Sequence, residues 1–372
     1  MKKVITSMVY ASLIVALLTG CAKQTCQNKP ADVKPKQTFT ADWESLKKRN
    51  PAPEWFRDAK FGIYFHWGVY SVPAFENEWY PRNMYDINSP AYNHHIKNWG
   101  KPDVFGYPDF VPMFKAEKFD ANEWADLFVK AGARFAGPVA EHHDGFSMWA
   151  SKLTPWNAQD MGPHRDIVGE LEKAIRKRGM RFVTTFHHER NGLYEITKDS
   201  NTYWTGHYEF VKKNFPELLN DPCRAIMYGY MPADKYYQMW EDKLIEVIDH
   251  YHPDLMYFDS WLDEIPDNYK MAYLAHYFND AARLNKEVVV TYKQGTMTWK
   301  TSTMKMKVTL KEQGKRNVVT MHFGLEQIQR RLREFYGKEY DKNLAQAIYV
   351  SLQAQMSYAC LQQQKVITFT LI

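Results

Sequence analysis

The stretch Phe135-Ala-Gly-Pro-Val-Ala-Glu141-His142-His143-Asp144 is a short apolar run that ends in a cluster of ionisable side chains. Three further runs end in the same way: Phe61-Gly-Ile-Tyr-Phe-His66, Phe182-Val-Thr-Thr-Phe-His187-His188-Glu189 and Leu255-Met-Tyr-Phe-Asp259. An apolar run of this length is typical of a strand that is buried on both faces, as in a parallel sheet. Polar side chains at the carboxyl ends of such strands form the active sites of α/β barrels. The four runs therefore predict an enzyme.

Amphipathic helices are predicted between these strands. Apolar residues recur at helical spacing over 121–131 and 166–178, and each segment is followed by a glycine that favours a helix stop. Asp120 and Glu123 have the spacing of a capping box. Two more helices are predicted over about 236–251 and 268–284, and a fifth strand over 287–293. Strand and helix thus alternate five times, which predicts an α/β fold with parallel strands and right-handed crossovers.

The N-terminal 20 residues have the features of an export signal, with a basic start and an apolar core over residues 4–18. The segment Leu18-Thr-Gly-Cys21 resembles a bacterial lipoprotein cleavage site. That resemblance implies that Cys21 is lipidated and that the exported protein is anchored in the bacterial cell envelope, facing the periplasm or the cell surface. Ordinary secretion, with Cys21 incidental, is the alternative. Residues 21–40 are polar and predict a tether.

Charge and cysteine content exclude several classes of protein. The formal charge of +5 comes from residues 300–372, which contain 12 Lys or Arg and 5 Asp or Glu, whereas residues 1–299 contain 36 and 38. The main body therefore has no basic character that would indicate a nucleic-acid partner. Cys26, Cys223 and Cys360 are too few and too scattered for a disulfide framework or a zinc finger.

Longer motifs connect the chain to a known family. The segments 59–73, Glu78-Trp-Tyr80 and Glu141-His-His-Asp-Gly-Phe146 together resemble the family 29 glycoside hydrolases, the α-L-fucosidases. Phe119-Asp120, Trp124-Ala125, Ala131-Gly-Ala133 and Gly162-Pro-His-Arg-Asp166 add to the resemblance, which covers about residues 40–293. The resemblance implies a (β/α)8-type barrel. We expect an incomplete one, of which residues 41–295 supply the first five strand–helix units.

The resemblance also implies an activity and a set of site residues. The expected reaction is the release of α-L-fucose from fucosylated glycans or glycoconjugates, with retention of configuration and without a cofactor or metal. Asp259, at the end of the fourth strand, matches the family's nucleophile. The positions implied for sugar binding are His66, Glu78, Trp79, His142, His143 and His187. A carboxylate beneath the anomeric carbon can attack it while a second carboxyl group protonates the leaving oxygen.

Simpler roles exist for each of these residues. Asp259 could cap a following helix, a histidine could make a structural hydrogen bond, and Trp79 could pack in the core. A zinc site is a further alternative, with Glu141, His142, His143, His187 and His188 as possible ligands. Adjacent residues of a strand point to opposite faces, so at most alternate members of this set are expected to converge. We therefore predict no metal site.

The tail, residues 296–372, departs from the family pattern. The family's acid/base is a glutamate downstream of the fifth strand, but neither Glu312 nor Glu326 lies in a matching motif. One codon choice for residues 307–315 gives, in a shifted register, the family-like peptide Ser-Asp-Phe-Glu-Arg-Ala-Arg-Glu. We therefore infer a frameshift near residues 293–296, which the gene sequence around codon 294 tests directly. An open five-stranded sheet with an unpaired edge would follow, with little folded protein and weak or no activity.

Three functions are consistent with these observations. The first is a lipid-anchored α-L-fucosidase or its damaged product, and the second is a non-catalytic lipoprotein that binds fucose or a related carbohydrate. The third is a metal-dependent hydrolase. Loss of turnover on replacing Asp259 supports the first function, fucose binding without turnover supports the second, and inactivation by a chelator supports the third.

Overall fold

Five parallel strands form the centre of this computed structural model, which describes residues 38–50, 52–192, 208–259, 262, 265–292 and 368–371. They are β1 (Gly62–His66), β2 (Phe135–Glu141), β3 (Arg181–Phe186), β4 (Leu255–Phe258) and β5 (Val289–Tyr292). Each strand pairs in parallel with the next one along the chain. The predicted strands and their direction are confirmed, since no boundary differs from the prediction by more than two residues.

Helices precede β1 and lie in the connections between the strands. They are α1 (Trp43–Leu46), α2 (Glu54–Ala59), α3 (Tyr80–Asn83), α4 (Pro90–Trp99), α5 (Ala121–Lys130), α6 (Ile167–Lys177), α7 (Glu209–Asn214), α8 (Pro222–Met227), α9 (Ala233–Tyr251) and α10 (Asp267–Arg283). The four predicted helices are α5, α6, α9 and α10. The segment between β1 and α5 contains α3 and α4, which were not predicted from the sequence.

The ends of the predicted helices follow the local sequence signals. The Asp120 carboxylate accepts a hydrogen bond from the backbone nitrogen of Asn122 at 2.7 Å, and Asp166 caps α6 in the same manner. Gly132 and Gly179 follow α5 and α6 with φ angles of +88° and +74°. These angles lie in the left-handed region, where glycine is favoured because it has no Cβ.

The sheet is strongly curved. Adjacent strands lie about 4.8 Å apart, so side chains on β1 and β4 would be about 14 Å apart in a flat sheet. The ring centroids of Tyr64 on β1 and Tyr257 on β4 are only 5.2 Å apart. The inner face also holds an apolar cluster with one residue from each of β2 to β5: Phe135, Val183, Leu255 and Val289. Trp55 and Phe56 of α2 pack against this cluster. The concave face is therefore a packed interior, as in the barrel that the resemblance implies.

A close approach of two strands requires a glycine in β2. A Cβ built on Gly137 would lie 1.7 Å from the carbonyl oxygen of Val183 in β3. Any larger residue would force the two strands apart, and the side chains at their carboxyl ends would move with them.

The outer edge of β1 is paired in the structure. The segment β6 (Thr368–Leu371) runs antiparallel to β1 and gives the strand order β5-β4-β3-β2-β1-β6. Among the described strands, β5 is the edge strand at the other end of this order, so the expectation of an unpaired edge is not contradicted. Residues 296–367, the inferred frameshift boundary at 293–296, Glu312 and Glu326 lie outside the described residues.

The N-terminal segment forms a separate unit. Contacts divide the chain into Met1–Gln37 and Thr38–Ile372. The first unit contains the predicted signal peptide, Cys21 and most of the predicted tether, and it lies outside the described residues. Within the described ranges, no helix combines the length and the apolar character needed to cross a bilayer.

A buried carboxylate joins several elements at the amino end of β4. The side chain of Asp254 accepts hydrogen bonds from Arg176 Nη1 at 2.6 Å and from the Phe182 backbone nitrogen at 2.9 Å. Lys286 Nζ lies 3.6 Å from it. Burial raises the pKa of Asp254, but the charges of Lys286 and Arg176 outweigh burial, so its pKa lies below the usual value. The carboxylate thus connects α6, β3 and the end of α10 to β4, away from the carboxyl ends of the strands.

Replacing Asp254 by asparagine should lower the free energy of unfolding by about 2–3 kcal/mol at pH 7, because it removes the charge of a buried carboxylate that is hydrogen-bonded by Arg176 and lies beside Lys286. A lowered pKa means that the carboxylate stabilises the fold above the unfolded-state pKa of about 4, and that this contribution is lost as the pH falls through the folded-state pKa. The difference between the unmodified chain and Asp254→Asn should therefore shrink in acid. Urea unfolding followed by circular dichroism at pH 7 and pH 3 measures it.

Asp249→Asn is the matched control, because Asp249 pairs with His276 on the exposed face of α9. We expect a change of less than about 1 kcal/mol, as for other exposed ion pairs. Equal losses for the two variants would contradict an anchoring role for Asp254.

Candidate active site

The carboxyl ends of β1 to β4 bring four of the predicted site residues together. His66 ends β1, and His142, His187 and Asp259 directly follow β2, β3 and β4. Backbone hydrogen bonds continue past the strand ends: the His187 nitrogen donates to the Glu141 carbonyl at 3.0 Å, and the Asp259 nitrogen donates to a β3 carbonyl at 3.2 Å. The register of the strands therefore fixes where these side chains start.

Three of the predicted histidines form a compact cluster. The ring centroids of His66 and His142 are 5.3 Å apart, those of His66 and His187 are 5.1 Å apart, and those of His142 and His187 are 4.4 Å apart. All three side chains are buried. One ring nitrogen from each lies within 4.8 Å of the other two. Imidazole nitrogens donate or accept according to tautomer, so this cluster suits either the vicinal hydroxyls of a sugar or a metal ion.

His143 also reaches this cluster, which the simple alternation of a strand does not allow. Its ring centroid lies 4.6 Å from that of His142 and 5.1 Å from that of His187. The pairing of β2 with β3 shifts register between Val139 and Glu141, so β2 contains an extra residue at this point. A bulge of this kind re-aims the side chains that follow it. β2 ends at Glu141, so the alternation of a regular strand does not apply to His143. Of the five residues considered as zinc ligands, only the alternate members His142 and His187 belong to the three-histidine set, as expected.

Trp79 lies beside the same histidines. Its ring centroid is 5.0 Å from that of His143 and 6.3 Å from that of His142, and the side chain is only half-buried. Contact with two site histidines favours a position at the site over simple core packing.

Glu78 affects the site through Tyr70. Burial, then the charges of Asp144 and Glu78, raises the pKa of Tyr70 well above its usual range. The Tyr70 ring lies 5.4 Å from that of His142. The carboxylate of Glu78 is thus close enough to Tyr70 to act on its hydroxyl, next to the histidine cluster.

Asp259 faces the cluster from the end of β4. Its Oδ1 accepts a hydrogen bond from the Tyr257 hydroxyl at 2.7 Å, and its Oδ2 lies 3.7 Å from His187 Nε2. Burial, followed by the charge of Asp259, raises the pKa of Tyr257 well above its usual range, so this hydroxyl stays protonated and donates. The next helix begins at Asp267 with Pro266 in the cap position. The alternative that Asp259 caps this helix is therefore wrong.

A known family matches most of this chain. The family model described as Alpha-L-fucosidase matches residues 26–343. The chain belongs to the α-L-fucosidase family. The match extends into the tail, beyond the segment of about residues 40–293 that contains the family-like motifs. The roles assigned to individual site residues remain predictions.

Several individual α-L-fucosidases are similar to this family member. Tissue alpha-L-fucosidase of Mus musculus is 37% identical over 268 residues, which cover 69% of this chain and 51% of the mouse protein. The Homo sapiens protein of that name is 35% identical over 295 residues, covering 77% and 54%. The crystal structure of Thermotoga maritima alpha-fucosidase superposes with a TM-score of 0.54 at 33% identity, covering 70% and 57%. The chain thus spans about half the length of these curated relatives.

A buried ion pair lies behind the histidines of this fucosidase-family chain. Lys243 Nζ on α9 donates to both carboxylate oxygens of Glu141, at 2.7 and 2.9 Å, and Ser147 Oγ donates to Oε2 at 2.6 Å. All three side chains are buried. The sequence suggested Glu141 only as a possible metal ligand and gave no prediction for Lys243. The partners are 102 residues apart, so no local signal identifies them.

His188 is also directed away from the cluster. Its ring stacks on Trp240 of α9 with centroids 6.0 Å apart, and its Nε2 lies 3.3 Å from the Trp240 carbonyl oxygen. Burial lowers its pKa to about 4, so the ring is neutral near pH 7. The five residues considered as zinc ligands are therefore divided, since Glu141 and His188 are engaged by α9 whereas His142 and His187 face His66.

Asp144 holds the turn that carries His142 and His143. Its Oδ2 accepts from the Tyr107 hydroxyl at 2.7 Å, and its Oδ1 accepts from the Phe146 backbone nitrogen at 3.2 Å. The Tyr208 hydroxyl donates to its backbone carbonyl at 2.9 Å. Complete burial raises the pKa of Asp144 to about 7. The side chain thus supports the turn from within the protein.

Replacing Lys243 by methionine should lower the free energy of unfolding by about 3–5 kcal/mol, because it leaves the Glu141 charge buried without a cation. The double variant Glu141→Gln/Lys243→Met should recover at least half of this loss. Guanidinium unfolding at pH 7, arranged as a double-mutant cycle, gives the coupling energy.

Lys47→Met serves as the control, since Lys47 pairs with the exposed Glu44. A change of less than about 1 kcal/mol is expected there. Additive losses in the Glu141–Lys243 cycle would show that the two side chains do not depend on each other.

Proposed function

We propose that this site cleaves terminal α-L-fucosides of glycans or glycoconjugates with retention of configuration, and that Asp259 is the nucleophile. The observation that carries the proposal is the position of the Asp259 carboxylate, 3.7 Å from His187 within a group of buried imidazoles at the strand ends. Membership of the α-L-fucosidase family supports the choice of sugar. Pockets at the carboxyl ends of parallel strands are where such folds carry out their chemistry.

In the proposed reaction the Asp259 carboxylate attacks the anomeric carbon of fucose. The glycosidic bond breaks as the new bond to Asp259 forms, through a transition state that resembles an oxocarbenium ion, and the aglycone oxygen leaves with the bonding electron pair. The product of this step is a covalent fucosyl-enzyme, which water hydrolyses to release fucose and the free carboxylate. The Tyr257 hydroxyl, bonded to Oδ1, fixes the carboxylate so that Oδ2 faces the cluster. A fixed nucleophile needs less reorganisation to reach the transition state.

The remaining site residues are proposed to bind the sugar. His66, His142, His143, His187 and Glu78 provide polar atoms for the fucose hydroxyls. Trp79, half-buried beside His143, provides an aromatic face for the methyl-bearing side of the deoxysugar. Both features match a neutral, polyhydroxylated ligand with one apolar side.

We infer that turnover is weak and depends on the leaving group. Protonation of the leaving oxygen needs a second carboxyl group, and the sequence motifs assign no glutamate of the tail to that role. A nitrophenolate departs without protonation, whereas a sugar alkoxide does not. Aryl fucosides should therefore be the best substrates. If the second step is also slow, a non-catalytic role in binding fucosylated glycans is the alternative function.

Asp259→Asn should reduce release of 4-nitrophenol from 4-nitrophenyl α-L-fucoside on the order of 10³-fold or more, because an amide cannot act as the nucleophile. Tyr257→Phe should reduce kcat by about tenfold, since a hydrogen bond to a charged group contributes about 1.5–3 kcal/mol. Steady-state kinetics and intact-mass detection of a fucosylated chain measure both effects.

Asp249→Asn, on the exposed face of α9, should keep the unmodified rate. Equal rates for Asp259→Asn and the unmodified chain would refute the nucleophile assignment. An unmodified chain that binds L-fucose by calorimetry but releases no nitrophenol would support the binding function instead.

We also propose that the protein is exported and anchored to the bacterial cell envelope through lipid on Cys21, as the segment Leu18-Thr-Gly-Cys21 suggests. Acyl chains contribute about 0.8 kcal/mol per buried methylene, so a multiply acylated cysteine would hold the chain firmly on a membrane. When the protein is expressed in a bacterium supplied with labelled fatty acid, Cys21→Ser should lose the label. The matched variant Cys26→Ser should keep it, and labelling of the Cys21→Ser chain would contradict the proposal.

A further inference from the structure

The histidine cluster has the donor set of a transition-metal site. His66, His142 and His187 each place one ring nitrogen within 4.8 Å of the other two, and all three side chains are buried. Asp259 adds a carboxylate oxygen 3.7 Å from His187 Nε2. Imidazole is a preferred ligand of Zn²⁺, Ni²⁺ and Cu²⁺, and three histidines with one oxygen ligand are a common zinc arrangement.

We propose that this cluster binds a divalent transition-metal ion at the place assigned to the sugar, and that the bound ion inhibits hydrolysis. The ligands would be His66, His142 and His187, with the Asp259 carboxylate beside them, 3.7 Å from His187 Nε2. Imidazole nitrogens that hold the ion cannot bind hydroxyls, and the ion would lie between the sugar and the proposed nucleophile. Metal binding stands on the geometry alone, whereas the inhibition rests on the proposed function.

The observed separations are close to those that a tetrahedral ion requires. Metal–nitrogen bonds of about 2.0–2.1 Å place neighbouring ligand atoms about 3.4 Å apart. The His187–Asp259 pair, at 3.7 Å, nearly meets this value. The histidine nitrogens, within 4.8 Å of one another, need to close by up to about 1.4 Å, which side-chain rotations allow. The strand register holds the backbone of His187 in place meanwhile, through its bond to the Glu141 carbonyl.

The charges near the cluster also favour a cation. Asp259 carries a negative charge at the cluster, and the nearby ammonium of Lys243 is paired with both oxygens of Glu141. The cationic neighbour is thus neutralised by its own partner, while Asp259 compensates part of the charge of an incoming ion.

Titration of the metal-free full chain with Zn²⁺ in a calorimeter tests the proposal. We expect one ion per chain. His66→Gln, His142→Gln and His187→Gln should each raise the zinc dissociation constant by tenfold or more, because loss of a direct ligand costs at least as much as loss of its supporting partner. His143→Gln is the matched control, since its ring is as close to His142 but lies outside the three-histidine set. It should change the constant by no more than about twofold.

Co²⁺ provides a second measurement that needs no variant. A tetrahedral nitrogen- and oxygen-ligated Co²⁺ gives a strong visible absorption band, whereas an octahedral ion on the surface gives a weak one. A near-ultraviolet thiolate band would place the ion on a cysteine and overturn the proposal. Zinc affinities that are unchanged in all three histidine variants would overturn it as well.

Different results would contradict the metal site and the proposed fucosidase function. Histidine-dependent zinc binding supports the metal site whether or not the chain cleaves fucosides. If L-fucose weakens zinc binding at the same histidines, the inhibitory part is supported too. If L-fucose does not bind the metal-free chain, the proposed function is contradicted and the metal site is not.

Discussion

The site depends on one buried residue that fixes two strand ends and a helix at once. The backbone carbonyl of Glu141 accepts a hydrogen bond from the His187 nitrogen, and its carboxylate is bound by Lys243 and Ser147. The next residue in the chain is His142. A charge in this environment needs its cation, since an unpaired buried carboxylate costs several kcal/mol. The position of α9 and the alignment of two site histidines are thus coupled through a single residue, whose side chain binds α9 and whose backbone binds His187.

Curvature of the sheet then brings the strand ends together. His66 and His187 belong to strands separated by β2, and in a flat sheet they would be about 9.6 Å apart. Their ring centroids are 5.1 Å apart. The contact between Tyr64 and Tyr257 shows the same convergence one layer below. The histidine cluster is therefore a consequence of the sheet's shape, and any change that flattened the sheet would disperse it.

The sequence predicted the elements well where the decisive signal was local. An apolar run and the polar residue that ends it are consecutive in the sequence. The five strands and most of the side chains at their ends were therefore predicted correctly. The helix Pro90–Trp99 was missed because its buried residues are Ala91 and His95, which give no apolar stripe. His95 is satisfied by Tyr80 and by a backbone carbonyl, which only the folded chain brings near.

Features that depend on distant partners were not predictable in the same way. Lys243 lies on a helix whose apolar stripe was recognised, but nothing near it in sequence shows that it is buried. The register shift in β2 could not be predicted either, because no particular residue type marks the position of an extra residue in a strand. The contacts that decide the site's chemistry are therefore the ones that the sequence shows least.

The carboxylates of Glu141, Asp144 and Asp259 differ in the hydrogen bonds that their oxygens accept. Both oxygens of Glu141 are bound by Lys243, and those of Asp144 are bound by Tyr107 and a backbone amide. Asp259 differs, because Tyr257 holds Oδ1 while Oδ2 faces His187 across 3.7 Å. A carboxylate whose second oxygen faces a polar cluster can reach a ligand bound there, whereas one clamped on both oxygens serves the fold. This arrangement supports the proposal that Asp259 is the reactive carboxylate.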